Sequence, residues 1–316
     1  MPDVNTDFPT PTVNGQAITV AWLAADPRRI YRLLNTLVQQ RLIGGRLLSG
    51  RVDLTGSGSA IYEISESIYA DVQSATVSPL GEYPLTTTTP GQLAVVKPLK
   101  DGLKSLISDE SIAHNRIDKV MRDLVKIANT LVTKADGLTL AAIVSKVTQT
   151  QAVTSGAWTT AGANPFVDVA LAGAQIDSLN KGYNPNVAAM TPTAFVYAIS
   201  RAAVLNYMPR EDAQNIIATG NMAQIAGVTY LKTTNMPSGV SVVVADSLML
   251  GSLAWERLGG NYQGDPNPDG GTSGVESKRW RQEDVDGVNV QARLVRAPMI
   301  QEPGAAVLMT TASIGV

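Results

Sequence analysis

RVDLTGSGSAIYEISESIYADVQSATVSPLGEYPLTTTTPGQLAVV, residues 51–96, is a 46-residue stretch rich in Ser, Thr, Gly, Ile and Tyr. A segment this polar and strand-prone does not form a hydrophobic core by itself. If residues 60–72 and 92–99 are the paired ends of a hairpin, each arm of about 20 residues extends about 60 Å. Because an isolated two-stranded ribbon is marginal in water, the stretch predicts an arm that lies on a neighbouring molecule. This favours assembly over catalysis.

The composition is that of a folded, soluble chain with no strongly charged partner. Of its 316 residues, 44% are hydrophobic and 16% charged, and 25 basic residues face 27 acidic ones. A pI near 5.5 argues against direct DNA binding but not against enclosing DNA. The absence of cysteine excludes disulfides and thiolate chemistry. The N-terminus has Asp3 and Asp7 where a signal peptide has basic residues, so we expect synthesis in the cytoplasm.

No membrane span is expected either. The best candidate, residues 239–255, carries Asp246 at its centre and is shorter than the ~20 residues that a spanning helix needs. We interpret it as a buried strand followed by a helix.

Two helices are predicted around the polar stretch. Pro27 suits the first turn of the first, whose apolar residues share one face, and Gly44 with Gly45 is expected to stop it. The second begins near Ser108 and ends at residues 134–137, about 42 Å further on. It combines an apolar stripe with two i,i+4 ion pairs on the opposite face. The predicted stripe is Ile117, Val120, Met121, Leu124, Ile127, Ala128 and Leu131, and the pairs are Asp118 with Arg122 and Lys119 with Asp123.

The rest of the chain mixes helices and strands without a repeating βα unit, which predicts an α+β fold. Helices are expected over residues 165–181 and from Pro192 onward. Strands are expected at residues 186–190, 240–244, 288–294 and 305–310. The third alternates apolar and polar residues and is predicted to be half-buried, whereas the wholly apolar second is predicted to lie inside a sheet.

Candidate catalytic residues are few, and we assign no catalytic, cofactor-binding or metal-binding residue. The only histidine, His114, has no nucleophile motif beside it, and neither G-x-S-x-G nor a phosphate-binding G-x-x-x-x-G-K occurs. Two groups of carboxylates are interpreted as solvated faces rather than acid–base pairs: Glu63 with Glu66, and Glu283 with Asp284 and Asp286.

One metal motif matches its template. Asp265, Asn267, Asp269, Gly270 and Glu276 have the spacing of a calcium loop. The flanking residues do not predict the two helices that such a loop requires, so we interpret the segment as a surface loop. A calcium-stabilised enzyme or binding domain remains an alternative.

The order of these elements resembles the major capsid proteins of tailed bacteriophages with the Hong Kong 97-type fold. Several phrases carry the resemblance, which covers nearly the whole chain: AIYEISESIY at 60–69, NVAAMTP at 186–192, IAGVT at 225–229 and EPGAA at 302–306. It implies four parts: an N-terminal arm and helix (1–45), an extended hairpin loop (46–97), a peripheral domain with the long helix as its spine (98–136 and 278–302), and an axial domain (137–277 and 303–316).

The resemblance implies a structural protein that forms hexamers and pentamers in an icosahedral shell around double-stranded DNA, made in the host cytoplasm and located in the virion. Its partners would be itself and possible separate scaffolding, portal and decoration proteins. Because only about 26 residues precede the first helix, a separate scaffold is expected in place of a cleaved leader. The founding member's shell is cross-linked from a hairpin lysine, but no lysine precedes Lys97 here, so such cross-links are not expected. An encapsulin shell of the same fold is the close alternative.

Overall fold

The computed structural model describes residues 12–13, 16–17, 19–39, 42–65, 69–87, 89–154, 156–200, 224–225, 227–267 and 273–315. The fold is α+β, as predicted. The helices are α1 (Val20–Ala25), α2 (Pro27–Gln39), α3 (Gly44–Leu47), α4 (Asp109–Ala113), α5 (Ile117–Lys146), α6 (Pro165–Asp177), α7 (Pro192–Ser200) and α8 (Thr311–Ile314). The strands are β1 (Thr12–Val13), β2 (Gln16–Ala17), β3 (Gly50–Asp53), β4 (Ala60–Ile64), β5 (Gln92–Val96), β6 (Leu99–Ser108), β7 (Val187–Met190), β8 (Gln224–Ile225), β9 (Val228–Lys232), β10 (Val240–Ala245), β11 (Gly251–Trp255), β12 (Val275–Gln282), β13 (Gly287–Ile300) and β14 (Ala306–Thr310).

The first large sheet is built around β13. This 14-residue strand pairs with β12 and then β11 along one edge, and with β6 along the other. Strand β3 extends the sheet by pairing parallel to β11. Helices α2 and α5 cover one face, so that a single hydrophobic core lies between them and the sheet. The predicted apolar face of α2 is confirmed, with Ile30, Leu34 and Val38 buried.

Helix α5 differs from the predicted long helix at both ends. Ser108 precedes the short helix α4, and the chain then breaks at Asn115, whose φ of 48° is left-handed, before α5 begins. The predicted end at Gly137 is wrong, because α5 continues to Lys146 and spans about 45 Å. A helical glycine costs only about 1 kcal/mol relative to alanine, and the buried side chains of Leu140 and Ile143 outweigh it.

Of the two predictions for the faces of α5, the apolar stripe is confirmed and the ion pairs are not. The apolar stripe is confirmed, and only Met121 among its members stays half-buried. Neither predicted ion pair comes within 4 Å in the described part of the chain. Instead Arg122 Nε donates to the carbonyl of Asp118 at 3.3 Å, and Asp123 accepts from the Ser105 hydroxyl at 3.4 Å. Helix α5 is long and apolar enough to cross a membrane, but half of its most apolar window is buried inside the protein.

The second large sheet has the order β14-β10-β7-β9-β8 and holds a separate core. Every residue of β10 is buried, which confirms the predicted interior strand. Helix α6 ends at Asp177, four residues before the predicted end. The helix predicted after β10 is wrong, because Gly251–Trp255 is strand β11 of the first sheet. The buried residues of α5 up to Ala135 belong to the first core, and those from Leu140 onward belong to the second core.

The prediction that residues 288–294 are half-buried is wrong. The polar side chains of Asn289 and Arg293 are buried along with the apolar ones. Arg293 Nε donates to Glu276 at 2.7 Å, its Nη2 donates to the carbonyls of Leu258 and Gly259, and its guanidinium stacks 3.6 Å from the Tyr262 ring centroid. The loop after β11 therefore covers what would otherwise be the solvent face of this strand.

Gly44 and Gly45 do not stop α2, which ends at Gln39, but open α3 instead. The buried carboxylate of Asp136, from the middle of α5, accepts from the backbone N–H of Gly44 at 2.9 Å and of Ile43 at 3.2 Å. Asp136 thus caps α3 from a distant helix. A Cβ at Gly44 would lie 3.0 Å from the Thr139 hydroxyl, so the close approach favours glycine. Burial raises the pKa of the Asp136 carboxyl.

Candidate assembly surface

The polar stretch that opened the sequence contains a short hairpin stem. Strands β4 and β5 pair antiparallel over five residues each, with Ile61 opposite Val95 and Glu63 opposite Leu93. Directly opposed side chains share a face, so these four residues form one side of the stem. The pairing of residues 60–72 with 92–99 is therefore confirmed at its base, and the ladder ends at Ile64.

The inner side of the stem packs on a third, small core. Val96 and Leu54 are buried there with Ala254, Ala297 and Met299 of the first sheet, and Tyr62 packs against them. Burial raises the pKa of the Tyr62 hydroxyl above its usual value. The stem is thereby fixed to β11 and β13, and its direction is set by the sheet.

The outer side of the stem is apolar and exposed. Ile61 is 70% exposed, Leu93 65% and Val95 63%. Within the stem only Glu63 interrupts this apolar side. Single exposed apolar residues need no explanation, but three on one face of a two-stranded ribbon indicate a surface that another molecule covers.

Beyond the stem, residues 69–87 and 89–91 form no strand, so the predicted ribbon with paired arms of about 20 residues is wrong. The Ser65 amide donates to the carbonyl of Gln301 at 2.8 Å, and the Tyr69 hydroxyl donates to the carbonyl of Asn180. Asp71 accepts from the Thr89 hydroxyl at 2.8 Å and joins the two legs. Side chains and turns, rather than a continuous ladder, hold this part together.

The end of the hairpin loop exposes further apolar side chains. Leu80 is fully exposed, with a left-handed φ of 69°, and Leu85 and Tyr83 are 90% and 81% exposed. A compact monomer of 33.3 kDa has about 12,600 Å² of accessible surface, whereas this chain has 17182 Å². The excess agrees with a subunit whose arm rests on neighbours.

Strand β6 adds an open sheet edge that continues directly from the hairpin. One of its edges pairs with β13 over ten residues, and within the described ranges no strand pairs with the other edge. An unpaired edge is a template for another chain. Leu99, Leu103 and Leu106 are 55%, 39% and 43% exposed along it. We call the outer stem side, the loop end and this edge together the hairpin surface.

The candidate catalytic residues do not come together. His114 is exposed at the end of α4, and Glu63 is on the stem, while Glu66 lies outside the described residues. Glu283 accepts from Arg281 at 2.8 Å, and the same arginine binds Asp109 through two hydrogen bonds. The carboxylates beside the turn into β13 are thus partly engaged in surface ion pairs. Sequence reasoning missed this Arg281 link, because its partners are 172 residues apart along the chain.

The calcium motif is not assembled by the residues that the structure describes. Glu276 lies in β12 with its carboxylate on Arg293, and Asp265 binds Arg257 at 3.0 Å and the Asn267 amide at 3.1 Å. Asp269 and Gly270 lie outside the described residues. Across the described ranges, no group of three or more His, Cys, Asp or Glu side chains is placed to hold a metal.

Comparison with known proteins gives a family. The family model described as "Phage capsid protein" matches residues 92–309, more than half of the chain. It begins at the second strand of the stem and covers both large sheets except for strand β3 and the last residue of β14. No curated protein matches the chain.

Solved structures show the same fold at low identity. The capsid structure of the cyanophage P-SCSP1u matches with a TM-score of 0.56 and 16% identity over 83% of this chain and 85% of that chain. A virus-like particle from Pyrococcus furiosus matches with a TM-score of 0.54 and 13% identity over 89% and 98%. A Mycobacterium phage Che8 structure matches with a TM-score of 0.53 and 13% identity over 85% and 90%. The common fold is the Hong Kong 97-type fold that the sequence resemblance implies.

Proposed function

The chain belongs to the phage capsid protein family, and from this premise we propose that its copies assemble through the hairpin surface into hexamers and pentamers. The protein is a structural major capsid protein of the virion. We propose that it has no enzymatic activity, that it is made in the host cytoplasm, and that its shell encloses double-stranded DNA.

The observation that carries the proposal is the apolar outer side of the stem. Ile61, Leu93 and Val95 are exposed in the subunit, although their strands are fixed to the third core on the opposite side. A stable interface covers roughly 800 Å² on each partner. The stem, loop end and β6 edge expose apolar side chains over an extended surface rather than at one point. Binding distributed over such an area suits a shell better than a pocket does.

We also propose the four-part domain division given above. The two large cores support its boundary at residues 136–137, because the first core holds Ala135 and the second holds Leu140. Strand β11 pairs with β13 in the first sheet, so we assign it to the peripheral part and not to the axial part. The third core joins the hairpin part to β11 and β13 of the first sheet. Scaffolding, portal and decoration proteins are proposed as separate partners. The encapsulin alternative has the same fold. Nucleic acid inside purified particles would favour the phage capsid, and a cargo protein inside them would favour the encapsulin.

The test replaces the three outer residues of the stem by serine. Burying the exposed part of each side chain contributes about 1–2 kcal/mol, so the triple variant loses about 3–6 kcal/mol per contact, or about 10²- to 10⁴-fold in association. Sedimentation and electron microscopy should show shells for the wild type and small species for the variant. Its melting temperature should hardly change, because surface substitutions cost within about 0.5 kcal/mol.

A matched control makes the same chemical change elsewhere. Val285, 46% exposed at the turn before β13, is replaced by serine and compared with the single variant Val95→Ser. Shells from the triple variant in wild-type yield would refute the role of the stem. A wild-type chain that stays a monomer under all conditions would refute the shell.

A further inference from the structure

The helical layer over the first sheet presents a basic outer surface. Helices α2 and α5 both pack on the sheet face that buries Val275, Val290, Ala292 and Leu294, so their other sides face away from the sheet. The basic side chains exposed on that outer side are Arg28, Arg32, Lys119, Arg122 and Lys126. We call these five residues the basic face.

The spacing on α5 concentrates the charge. Lys119, Arg122 and Lys126 are three and four residues apart and lie within an arc of about 60° on the helix, opposite the buried stripe. They extend about 10 Å along the helix axis at 1.5 Å per residue. On α2, Arg28 and Arg32 are likewise one turn apart.

Few carboxylates neutralise this face. Helix α2 has no acidic residue. Of the three aspartates of α5, Asp136 is buried, Asp123 is half-buried beneath a serine hydroxyl and only Asp118 is exposed. In the described part of the chain, none of the five basic side chains has a carboxylate within 4 Å, although Asp26 accepts from the backbone N–H of Arg28 at 2.9 Å.

The charge is segregated across the molecule. The chain carries a formal net charge of −2. Residues 52–96 contain Asp and Glu but no Lys or Arg, so the hairpin is acidic while the helical layer is basic. This segregation suits a shell subunit with one side toward a polyanion, because a surface of one sign attracts a partner of the opposite sign.

Building on the proposed function, we propose that the basic face contacts the phosphate backbone of the enclosed double-stranded DNA, and therefore faces the interior of the shell. The contacts are sequence-independent, because Lys and Arg on a helix surface reach phosphates without entering a groove. An acidic hairpin from another copy fits less well. The exposed side of its stem is apolar at Ile61, Leu93 and Val95. The apolar stripe of α5 is buried, so the outer side of α5 offers no apolar area for the stem.

The test removes three charges from α5 and three from a control site. The full chain carrying Lys119→Gln, Arg122→Gln and Lys126→Gln is compared with one carrying Lys97→Gln, Lys100→Gln and Lys104→Gln, where three exposed lysines lie at and before β6. Glutamine is nearly as good a helix former as lysine or arginine, so α5 should be retained. Binding of a fluorescent 20-base-pair duplex to unassembled subunits is measured by anisotropy between 50 and 200 mM salt.

For a complex with three phosphate contacts, raising the salt from 50 to 200 mM weakens binding about 40-fold. The logarithm of the binding constant falls with the logarithm of the salt concentration with a slope of about −0.9 per contact. We expect the α5 variant to lose this part of the salt dependence and the β6 variant to keep it. Equal losses in both variants, or none in the α5 variant, would overturn the proposal. So would subunits that bind polyglutamate but not the duplex, since the partner would then be an acidic protein. Shell formation, read by sedimentation, tests the proposed function separately.

Discussion

Replacing Glu276 by glutamine should destabilise the protein strongly, because it leaves a buried arginine without its counter-charge. Glu276 is 4% exposed and Arg293 6%, and Oε2 and Nε are 2.7 Å apart. Glutamine fills nearly the same volume, so no cavity contributes. Removing one partner of a buried pair costs about 3–5 kcal/mol. At about 2–4 °C per kcal/mol, the melting temperature should fall by roughly 6–20 °C.

The control makes the same change at an exposed ion pair. Glu283 is paired with Arg281 at 2.8 Å, but its side chain is 76% exposed, so Glu283→Gln should cost less than about 1 kcal/mol. Differential scanning calorimetry and urea unfolding of both variants give the comparison.

A double variant tests the pair itself. In Glu276→Gln with Arg293→Met, no charge is left buried, so its loss should be at least about 2 kcal/mol smaller than the sum of the two single losses. Strict additivity, or equal losses at Glu276 and Glu283, would refute the reasoning.

Two further predictions concern α5. Leu124→Asp places a charge in the first core, where Leu124 is 1% exposed, and should cost several kcal/mol, whereas Asn129→Asp on the exposed side should cost within about 0.5 kcal/mol; a wild-type melting midpoint for Leu124→Asp would contradict this. Burial raises the pKa of Asp136, so the native state binds this proton more tightly than the unfolded state. Its stabilising effect is present at low pH and lost as the pH rises through the raised pKa. Wild type should therefore gain stability relative to Asp136→Asn as the pH falls through that raised pKa toward the ordinary value of 3.8, and a pH-independent difference in urea unfolding would contradict it.

Local patterns predicted the elements whose partners lie close by. The apolar residues of α2 recur with the helical period, whereas β10 is a short apolar run typical of an interior strand. Both are buried as predicted. At the turn into β13, Asp286, followed by Gly287, adopts a left-handed φ of 42°, a conformation that Asp tolerates in turns.

Long-range contacts decided what the sequence could not predict. The end of α5 was predicted at Gly137 from a local stop signal, but the second core extends the helix. The burial of Arg293 contradicts its polar alternation, because a loop from another part of the chain covers that side. The hairpin ladder stops at Ile64, and the next described residues bond to distant parts of the chain, Ser65 to Gln301 and Tyr69 to Asn180.

The candidate assembly surface was predictable in position but not in detail. The polarity and β-propensity of residues 51–96 indicated an arm that needs a neighbour. Which stem side is outward depends on the packing of Tyr62 and Val96 on β11 and β13, which no local pattern contains. The basic face was hidden in a balanced total charge, because its residues are grouped by helix geometry rather than by sequence runs.

Helix α5 belongs to both large cores, and this has a consequence for how the chain folds. Neither core is complete without its own part of the helix, and the Asp136 cap on α3 lies where the two parts meet. Fraying of the helix at either end therefore exposes only one core, whereas loss of its middle removes support from both. Because the helix belongs to both cores, we expect the two cores to unfold together rather than one at a time.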